Sequence, residues 1–226
     1  MSDIKWIVSI DIGKKNFSFY VEEVDVGELP RHGKGSWGVD GTPTLECQKD
    51  LDAVCACGKR ILLENVDLTT CGPHGVDSRL KLDPAIMHNM TSLLDKYKSY
   101  WDQCDIVVIE KQMSFGSNCN TMALKLGQHC WSYFSLRYSD GERPTLVEFP
   151  AYHKTQVLGA RKVMGKRGAW KAIDKPARKK WSVEKGIEIL CTRGDADGVA
   201  VIKSRGKKDD LCDVICQLQA YKYLYM

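Results

Sequence analysis

The chain has 226 residues, of which 43% are hydrophobic and 27% are charged, and its formal net charge is +4 at pH 7. These proportions are typical of a soluble globular protein, and the length fits one large domain or one domain with an insertion. Because the sequence holds no run of about 18 apolar residues, it predicts no membrane span.

Strands and helices follow one another along the chain in the pattern of an α/β domain. WIVSIDIG (6–13) is a near-continuous apolar run typical of a buried strand, and NFSFYVEEV (16–24) alternates like an antiparallel partner. Residues 25–58, with many Gly, Pro and polar residues, are predicted to form an insertion or long loop. The other predicted elements are strands at 59–68, 105–112 and 145–149 and helices at 84–101, 117–138, 177–190 and 203–221. We expect one domain, 1–226, built on a mixed five-stranded sheet flanked by helices.

Acidic residues occupy unusual places in these elements. Asp11 interrupts the apolar first strand, and Glu110 ends the apolar stretch IVVIE. A charge in a buried strand is costly unless it is paired or binds a cation. Asp210 and Asp213 lie three residues apart at the start of the last predicted helix, so they share one of its faces. For the acids of that helix alone, a solvated helix start placed for the helix dipole is an open alternative.

These four carboxylates come from three elements, and two adjacent parallel strands with a helix at their ends would bring them together. Oxygen ligands of this kind suit Mg²⁺, with Mn²⁺ expected to substitute, whereas zinc prefers Cys or His. The set is typical of two-metal phosphodiester hydrolysis, in which the metals lie about 3.5–4 Å apart. The sequence therefore predicts a magnesium-dependent hydrolase site.

Positive charge is concentrated in residues 154–185. This segment contains eleven Lys or Arg and only two acids, Asp174 and Glu184, which leaves a charge of +9. A field of that sign attracts phosphate polyanions, so we predict that the segment binds DNA. The alternative is a solvated basic loop.

The N-terminus and the cysteines bear on the compartment. MSDIKWIVSID passes directly into a strand-like run, so we expect neither a signal peptide nor a transit peptide. Several of the ten cysteines lie in apolar helical runs, which favours reduced thiols in the cytoplasm or at a nucleoid or viral replication site. Zinc is disfavoured in the group Cys47, Cys55, Cys57, Cys71 and His74, because Cys55 and Cys57 are spaced too closely for the usual clamp.

Four blocks of the sequence resemble the RuvC-like Holliday junction resolvases, especially the poxvirus and large-DNA-virus branch. The blocks are SIDIGKKNFSF, IVVIEKQ, ARKKWSVEKGIEIL and KKDDLCD, and they occur in the family's order. They are spread over residues 9–213, and residues 25–58 match no part of the family. The resemblance implies a ribonuclease H-like fold, a homodimer, and metal-dependent paired nicking of four-way DNA junctions.

The resemblance also implies roles for the acidic residues. Asp11 matches the acid of the family's first strand, Glu110 the acid that ends its central strand, and Asp210 and Asp213 its terminal pair. These four residues are therefore expected to be catalytic and to bind the metal. The role of Asp209 is left open.

Basic residues complete the implied site. FPAYHKTQVLG resembles the block that supplies one basic group near the scissile phosphate, which implies Lys154. KKWSVE resembles the second such block, which implies Lys180 rather than Lys179. Phe115 is a candidate to meet a distorted base at the junction centre, although a core or loop position is the simpler interpretation. The residues expected to contact DNA are Lys154, Arg161, Lys162, Lys166, Arg167, Lys171, Lys179 and Phe115.

Other functions fit parts of the sequence. A nuclease of the same fold that cuts RNA–DNA hybrids or flaps would have the same site, so only the substrate separates it from a resolvase. A non-catalytic junction-binding protein would be expected to lack one of the four acids. An actin-like nucleotide-binding protein also has the sequence DIG after its first strand, but it would need a longer chain with a second such motif.

Overall fold

The structure is a computed structural model that describes residues 3–30, 35–112, 120–139, 141, 143–166 and 168–226. Its centre is a five-stranded sheet in the order β3-β2-β1-β4-β5. The strands are β1 Ile4–Asp11, β2 Phe17–Asp25, β3 Lys59–Val66, β4 Ile106–Lys111 and β5 Thr145–Pro150. β2 is antiparallel to β1 and β3, whereas β4 is parallel to β1 and β5. The predicted mixed five-stranded sheet is confirmed.

Eight α-helices surround the sheet in the described part of the chain. They are α1 Leu45–Ala56, α2 Pro84–Lys96, α3 Lys98–Trp101, α4 Thr121–Arg137, α5 His153–Val157, α6 Lys175–Thr192, α7 Ala196–Ser204 and α8 Lys208–Tyr225. A short hairpin, β6 Val163–Met164 and β7 Trp170–Lys171, precedes α6. Local sequence explains several starts: Asp83 and Asp174 cap α2 and α6, and each is followed within two residues by a proline. None of these helices combines the length and apolar composition that a bilayer crossing requires.

The two faces of the sheet carry separate hydrophobic cores. Because side chains alternate along a strand, Ile7 packs towards α1, α6 and α8, whereas Val8 and Ile10 pack towards α2 and α4. The same alternation places Asp11 on the face of Ile7, and Glu110 on the face of Val108. Both acids therefore lie on the side of the sheet that α8 covers.

Residues 25–58, predicted to be an insertion or long loop, contribute to one of these cores. The segment includes α1, whose Cys47, Leu51, Val54 and Cys55 are buried against α8. Thr44 caps this helix and accepts a hydrogen bond from the Cys47 amide. The apolar spacing of α1 was hidden by the Gly- and Pro-rich residues that precede it. The buried cysteines behave here as small core side chains, as the sequence favoured.

α8 is fixed to the sheet by two polar contacts inside the core. The Gln217 side-chain amide donates to Ser9 Oγ at 3.1 Å and to the Ile10 carbonyl at 3.3 Å. Further along, the buried carboxylate of Glu22 on β2 accepts from Lys222 at 2.5 Å and from Arg193 at 2.7 Å. A buried hydrogen-bonded network fixes the positions of its members, so α8 has a defined register against β1 and β2.

Candidate active site

The first two acids lie side by side at the carboxyl ends of adjacent strands. Asp11 is the last residue of β1, and Glu110 is the fifth of the six residues of β4. These strands are parallel and pair Ile10 with Ile109, so the two acids occupy neighbouring positions on the α8 face. Ligand sites of open α/β sheets lie at this end of the strands.

The last helix brings the other acids to the same place. Asp210 and Asp213 lie in the first two turns of α8, which begins at Lys208. Gln217, one turn after Asp213, binds β1, and this contact holds the start of α8 beside Asp11. The opening acids of a buried helix thus face the end of the sheet rather than solvent alone.

Lys154 on α5 stands in the middle of this cluster. Its ammonium group lies 2.6 Å from Glu110 Oε2 and 3.0 Å from Asp213 Oδ2. The lysine is 7% exposed, so these contacts are shielded from solvent. A buried ammonium group is stable only when it is paired, and here two carboxylates pair with it. The structure therefore brings together Asp11, Glu110, Asp213 and Lys154, with Asp210 beside them.

The crowding of negative charge changes the acidity of the cluster. Burial raises the pKa of Asp11 well above its usual value, and the charges of Glu110, Asp213 and Asp210 raise it further against the opposing effect of Lys154. Burial also raises the pKa of Asp210 to about 6, with help from the Asp209 charge. For Lys154, burial alone would lower the pKa, but the surrounding carboxylates outweigh it and raise the pKa.

These residues fit a divalent cation. Oδ2 of Asp210 is buried and has no hydrogen-bond partner among the described residues, which leaves a ligand oxygen available. The other candidate donors are also carboxylate oxygens, the type that Mg²⁺ prefers. Within the described part of the chain, no group of three or more His, Cys, Asp or Glu side chains is already arranged around a cation position. Lys154 lies between Glu110 and Asp213, so a cation bound to both of them would take the place of its ammonium group.

Asp209 and two lysines of α6 flank the cluster. The Lys179 ammonium group donates to Asp209 Oδ2. Burial alone would raise the pKa of Asp209, but the hydrogen bond and the positive charge of Lys179, helped by a backbone hydrogen bond and by Lys207, together lower it. Lys180 points elsewhere: its side chain is exposed and its ammonium group lies 3.8 Å from Glu184 on the next turn. Of the two lysines weighed from the sequence, the structure places Lys179 beside the acids of α8.

Sequence reasoning missed one side chain of the cluster. Ser182 on α6 is buried and donates to Asp213 Oδ1 at 2.5 Å. It lies three residues after Lys179 and therefore on the same face of the helix. That spacing was visible in the sequence, but a serine in a predicted helix gave no reason to single it out.

The residues predicted to contact DNA are largely on the surface. Arg161, Lys166 and Lys171 are exposed and Lys162 is half-buried, in and around the hairpin of β6 and β7. Asp174, one of the two acids of the basic segment 154–185, caps the start of α6. Phe115 and Arg167 lie outside the described residues.

Comparisons with known proteins identify relatives in viruses. The chain is 33% identical over 242 residues to uncharacterized protein 170L of Invertebrate iridescent virus 6, covering 98% of this chain and 90% of that protein. It is 28% identical over 224 residues to uncharacterized protein 97L of Invertebrate iridescent virus 3, covering 96% and 98% of the two chains. No family model matches the chain.

Among solved structures, the chain is similar to the yeast mitochondrial Holliday junction resolvase Ydc2. The TM-score is 0.53 at 12% identity, and the match covers 96% of this chain and 78% of that one. At this identity the similarity is one of fold, and it confirms the ribonuclease H-like architecture that the sequence predicted. By its sequence, the chain belongs to the family of the iridescent virus protein 170L.

Proposed function

We propose that the chain is a metal-dependent endonuclease that resolves four-way DNA junctions by paired, symmetric nicks. The observation that carries the proposal is the meeting of Asp11, Glu110 and Asp213 around one buried lysine at the end of the sheet, with Asp210 beside them. Burial, together with the charges of neighbouring acids, raises the pKa of Asp11 and of Asp210, and such carboxylates are a poor use of a core unless a cation or reacting group neutralises them. The same fold in Ydc2, a Holliday junction resolvase, supports the choice of substrate.

The four acids would hold one or two Mg²⁺ ions, and Mn²⁺ is expected to substitute. Such ions supply Lewis acidity at the scissile phosphate and lower the pKa of an attacking water. Asp11 and Glu110 present their carboxylates from rigid strands, and Asp210 and Asp213 present theirs from a buried helix. This mounting fixes the positions of the donors before the metal or the DNA arrives.

Lys154 and Lys179 supply positive charge around these acids. Lys154 pairs with Glu110 and Asp213, and it would be free to face a phosphate oxygen once a cation neutralises those carboxylates. Lys179 holds Asp209, which keeps that acid turned towards α6 rather than towards its neighbour Asp210. We assign Asp209 to positioning and not to the metal.

Two active sites are needed for the proposed reaction. One site on one chain makes one nick, whereas resolution of a junction requires two nicks on opposed strands. A two-fold symmetric dimer matches the symmetry of the junction and would place one cluster against each strand. We therefore propose a homodimer with one complete carboxylate cluster in each protomer.

The test compares substrates and an inactivated variant. Wild-type protein with Mg²⁺ is incubated with labelled four-way junction, duplex, flap and RNA–DNA hybrid, and symmetric nicks are expected in the junction. Asp11→Asn should lower the nicking rate to below about one tenth of the wild-type rate, while junction binding survives. A tenfold loss of rate corresponds to only about 1.4 kcal/mol of lost transition-state stabilisation. Asp52→Asn, which changes an exposed aspartate of α1, is the matched control.

Three results would contradict the proposal. Preferred cutting of RNA–DNA hybrid or flap would keep the nuclease site but replace the substrate. Junction binding with no nicking in Mg²⁺ or Mn²⁺ would identify a non-catalytic binding protein. Activity of Asp11→Asn equal to that of Asp52→Asn would remove Asp11 from the chemistry.

A further inference from the structure

We propose that a second cleft, beside α5, binds an unpaired nucleobase of the DNA together with an adjoining phosphate. The inference rests on the proposed function for the identity of the substrate. It concerns a different set of residues from the carboxylate cluster, and it gives a role to residues 25–58, which the resemblance to resolvases did not cover.

The cleft lies where three parts of the chain meet. The loop before α1 supplies Trp37 and Gly41, α5 supplies His153 and Gln156, and the basic hairpin with the start of α6 closes the other side. Its volume is about 380 Å³, within the range of small-molecule pockets. The loop is held against the basic segment by a hydrogen bond from the Lys162 amide to the Asp40 carbonyl, 2.7 Å long.

Two tryptophans give the cleft its aromatic surface. Trp37 is held in place because its indole nitrogen donates to the Val157 carbonyl at 3.3 Å and its ring meets Tyr223 edge-on. Trp170 on β7 remains 40% exposed, which is unusual for so large an apolar side chain. An aromatic face left open to solvent is suited to stacking, and stacking on a base tolerates any sequence because every base has a π face.

The polar groups of the cleft suit the other parts of a nucleotide. Lys162 and Arg178 line it, and among the described residues that do so none is acidic, so its charge is complementary to a phosphate. Nδ1 of His153 is buried and has no hydrogen-bond partner in the described part of the chain. Together with the Gln156 amide, it offers donor and acceptor capacity for the edge of a base.

The cleft is coupled by sequence to the candidate active site. His153 lines the cleft, and the next residue, Lys154, contacts Glu110 and Asp213. In the same way Arg178 lines the cleft, and Lys179 contacts Asp209. We take the width of a helix, roughly 10–12 Å, as the separation between the cleft and the carboxylate cluster. A DNA strand rises about 3.4 Å per nucleotide, so roughly three or four nucleotides cover that distance. A base that is unpaired within this reach of the nick could therefore enter the cleft, and unpaired bases are the easiest to unstack.

The test uses a short single-stranded oligodeoxynucleotide that carries 5-iododeoxyuridine, a photoreactive base that crosslinks to aromatic side chains stacked on it. Irradiation with the full-length chain should crosslink Trp37 or Trp170, identified by mass spectrometry. Trp170→Ala should weaken binding of the oligonucleotide by roughly fivefold or more, and Trp170→Phe should restore most of the affinity because it keeps an aromatic face.

Met164→Ala is the matched control. Met164 pairs with Trp170 across the hairpin, is 55% exposed and does not line the cleft. The affinity of Met164→Ala for the oligonucleotide should therefore stay within about twofold of wild type. Equal losses in Trp170→Ala and Met164→Ala, or crosslinks confined to other segments, would overturn the inference. So would conversion of a dimer into a monomer by Trp170→Ala in light scattering, since a second copy of the chain would then cover the cleft. Crosslinking at Trp170 by a chain that nicks no junction would support the cleft and contradict only the nuclease.

Discussion

Removing the carboxylate of Glu22 should destabilise the fold strongly. Glu22 lies on β2 and is fully buried, and it accepts hydrogen bonds from Lys222, Arg193 and Gln219 at 2.5, 2.7 and 2.9 Å. Glu22→Gln keeps the shape of the side chain but leaves two buried cations without their shared counter-charge. Removing one partner of a buried ion pair costs about 3–5 kcal/mol.

The pKa of Glu22 gives a second measure of the same contribution. Burial raises it, but Lys222 and Arg193 outweigh burial and lower the pKa from 4.5 to about 2. This difference corresponds to roughly 3 kcal/mol of stability. Because the folded-state pKa is the lower one, this stability is present above pH 4.5 and is lost as the pH falls towards 2.

Urea unfolding of wild type and Glu22→Gln over a pH series measures both effects. The difference in unfolding free energy should be roughly 3 kcal/mol at pH 7 and should narrow by about 1.4 kcal/mol by pH 3.5. Glu184→Gln removes a carboxylate from an exposed pair and should change stability by less than about 1 kcal/mol. A difference below about 1 kcal/mol at pH 7, or one that stays constant down to pH 3.5, would refute the assignment of Glu22 as the counter-charge of this network.

Two further predictions concern the candidate active site. Lys179→Ala should slow single-turnover nicking by about tenfold, because it releases Asp209 beside Asp210. The nicking rate of Lys180→Ala should stay within about twofold of the wild-type rate. The opposite order of the two rates would restore Lys180 as the assisting lysine. Heterodimers formed by mixing wild type with Asp11→Asn should nick one strand of a junction and leave the opposed strand intact. Paired nicks from a particle that light scattering identifies as a monomer would contradict the dimer.

The sequence was most informative where a residue violated its local pattern. Asp11 and Glu110 stand in apolar strands, and a charge there must be explained by a partner or a cation. Strand alternation and the parallel pairing of β1 with β4 then suffice to bring them together. Asp210 and Asp213 could be added because three-residue spacing fixes their common helix face. The positions of these four acids follow from backbone periodicity, which is why they could be found without a structure.

Glu22 shows what periodicity does not reveal. In NFSFYVEEV it is one of two adjacent glutamates, and alternation requires only that one of them points inward. Its partners Arg193 and Lys222 lie 171 and 200 residues further along the chain, so no local pattern connects them to it. A network of this kind depends on how α6 and α8 pack on the sheet, and the sequence shows neither the angle nor the register of that packing.

Whether Lys179 or Lys180 faces the acids of α8 depends on the rotation of α6 about its own axis. The sequence reveals this rotation only in part, so this choice is intermediate between the four acids and Glu22. Gly186 and Ser182 lie on the face of α6 that packs against α8, here called the seam. A Cβ at Gly186 would lie 2.7 Å from Cys212 Cβ, so only glycine permits this close approach to α8. Lys179 is three residues before Ser182 and seven before Gly186, and it therefore lies on the seam, while Lys180 is turned about 100° away. Hydrophobic periodicity missed the seam because small residues mark it. The close approach of α6 that they permit also brings Ser182 within hydrogen-bonding distance of Asp213, so the packing of this helix and the arrangement of the acidic cluster have a common cause.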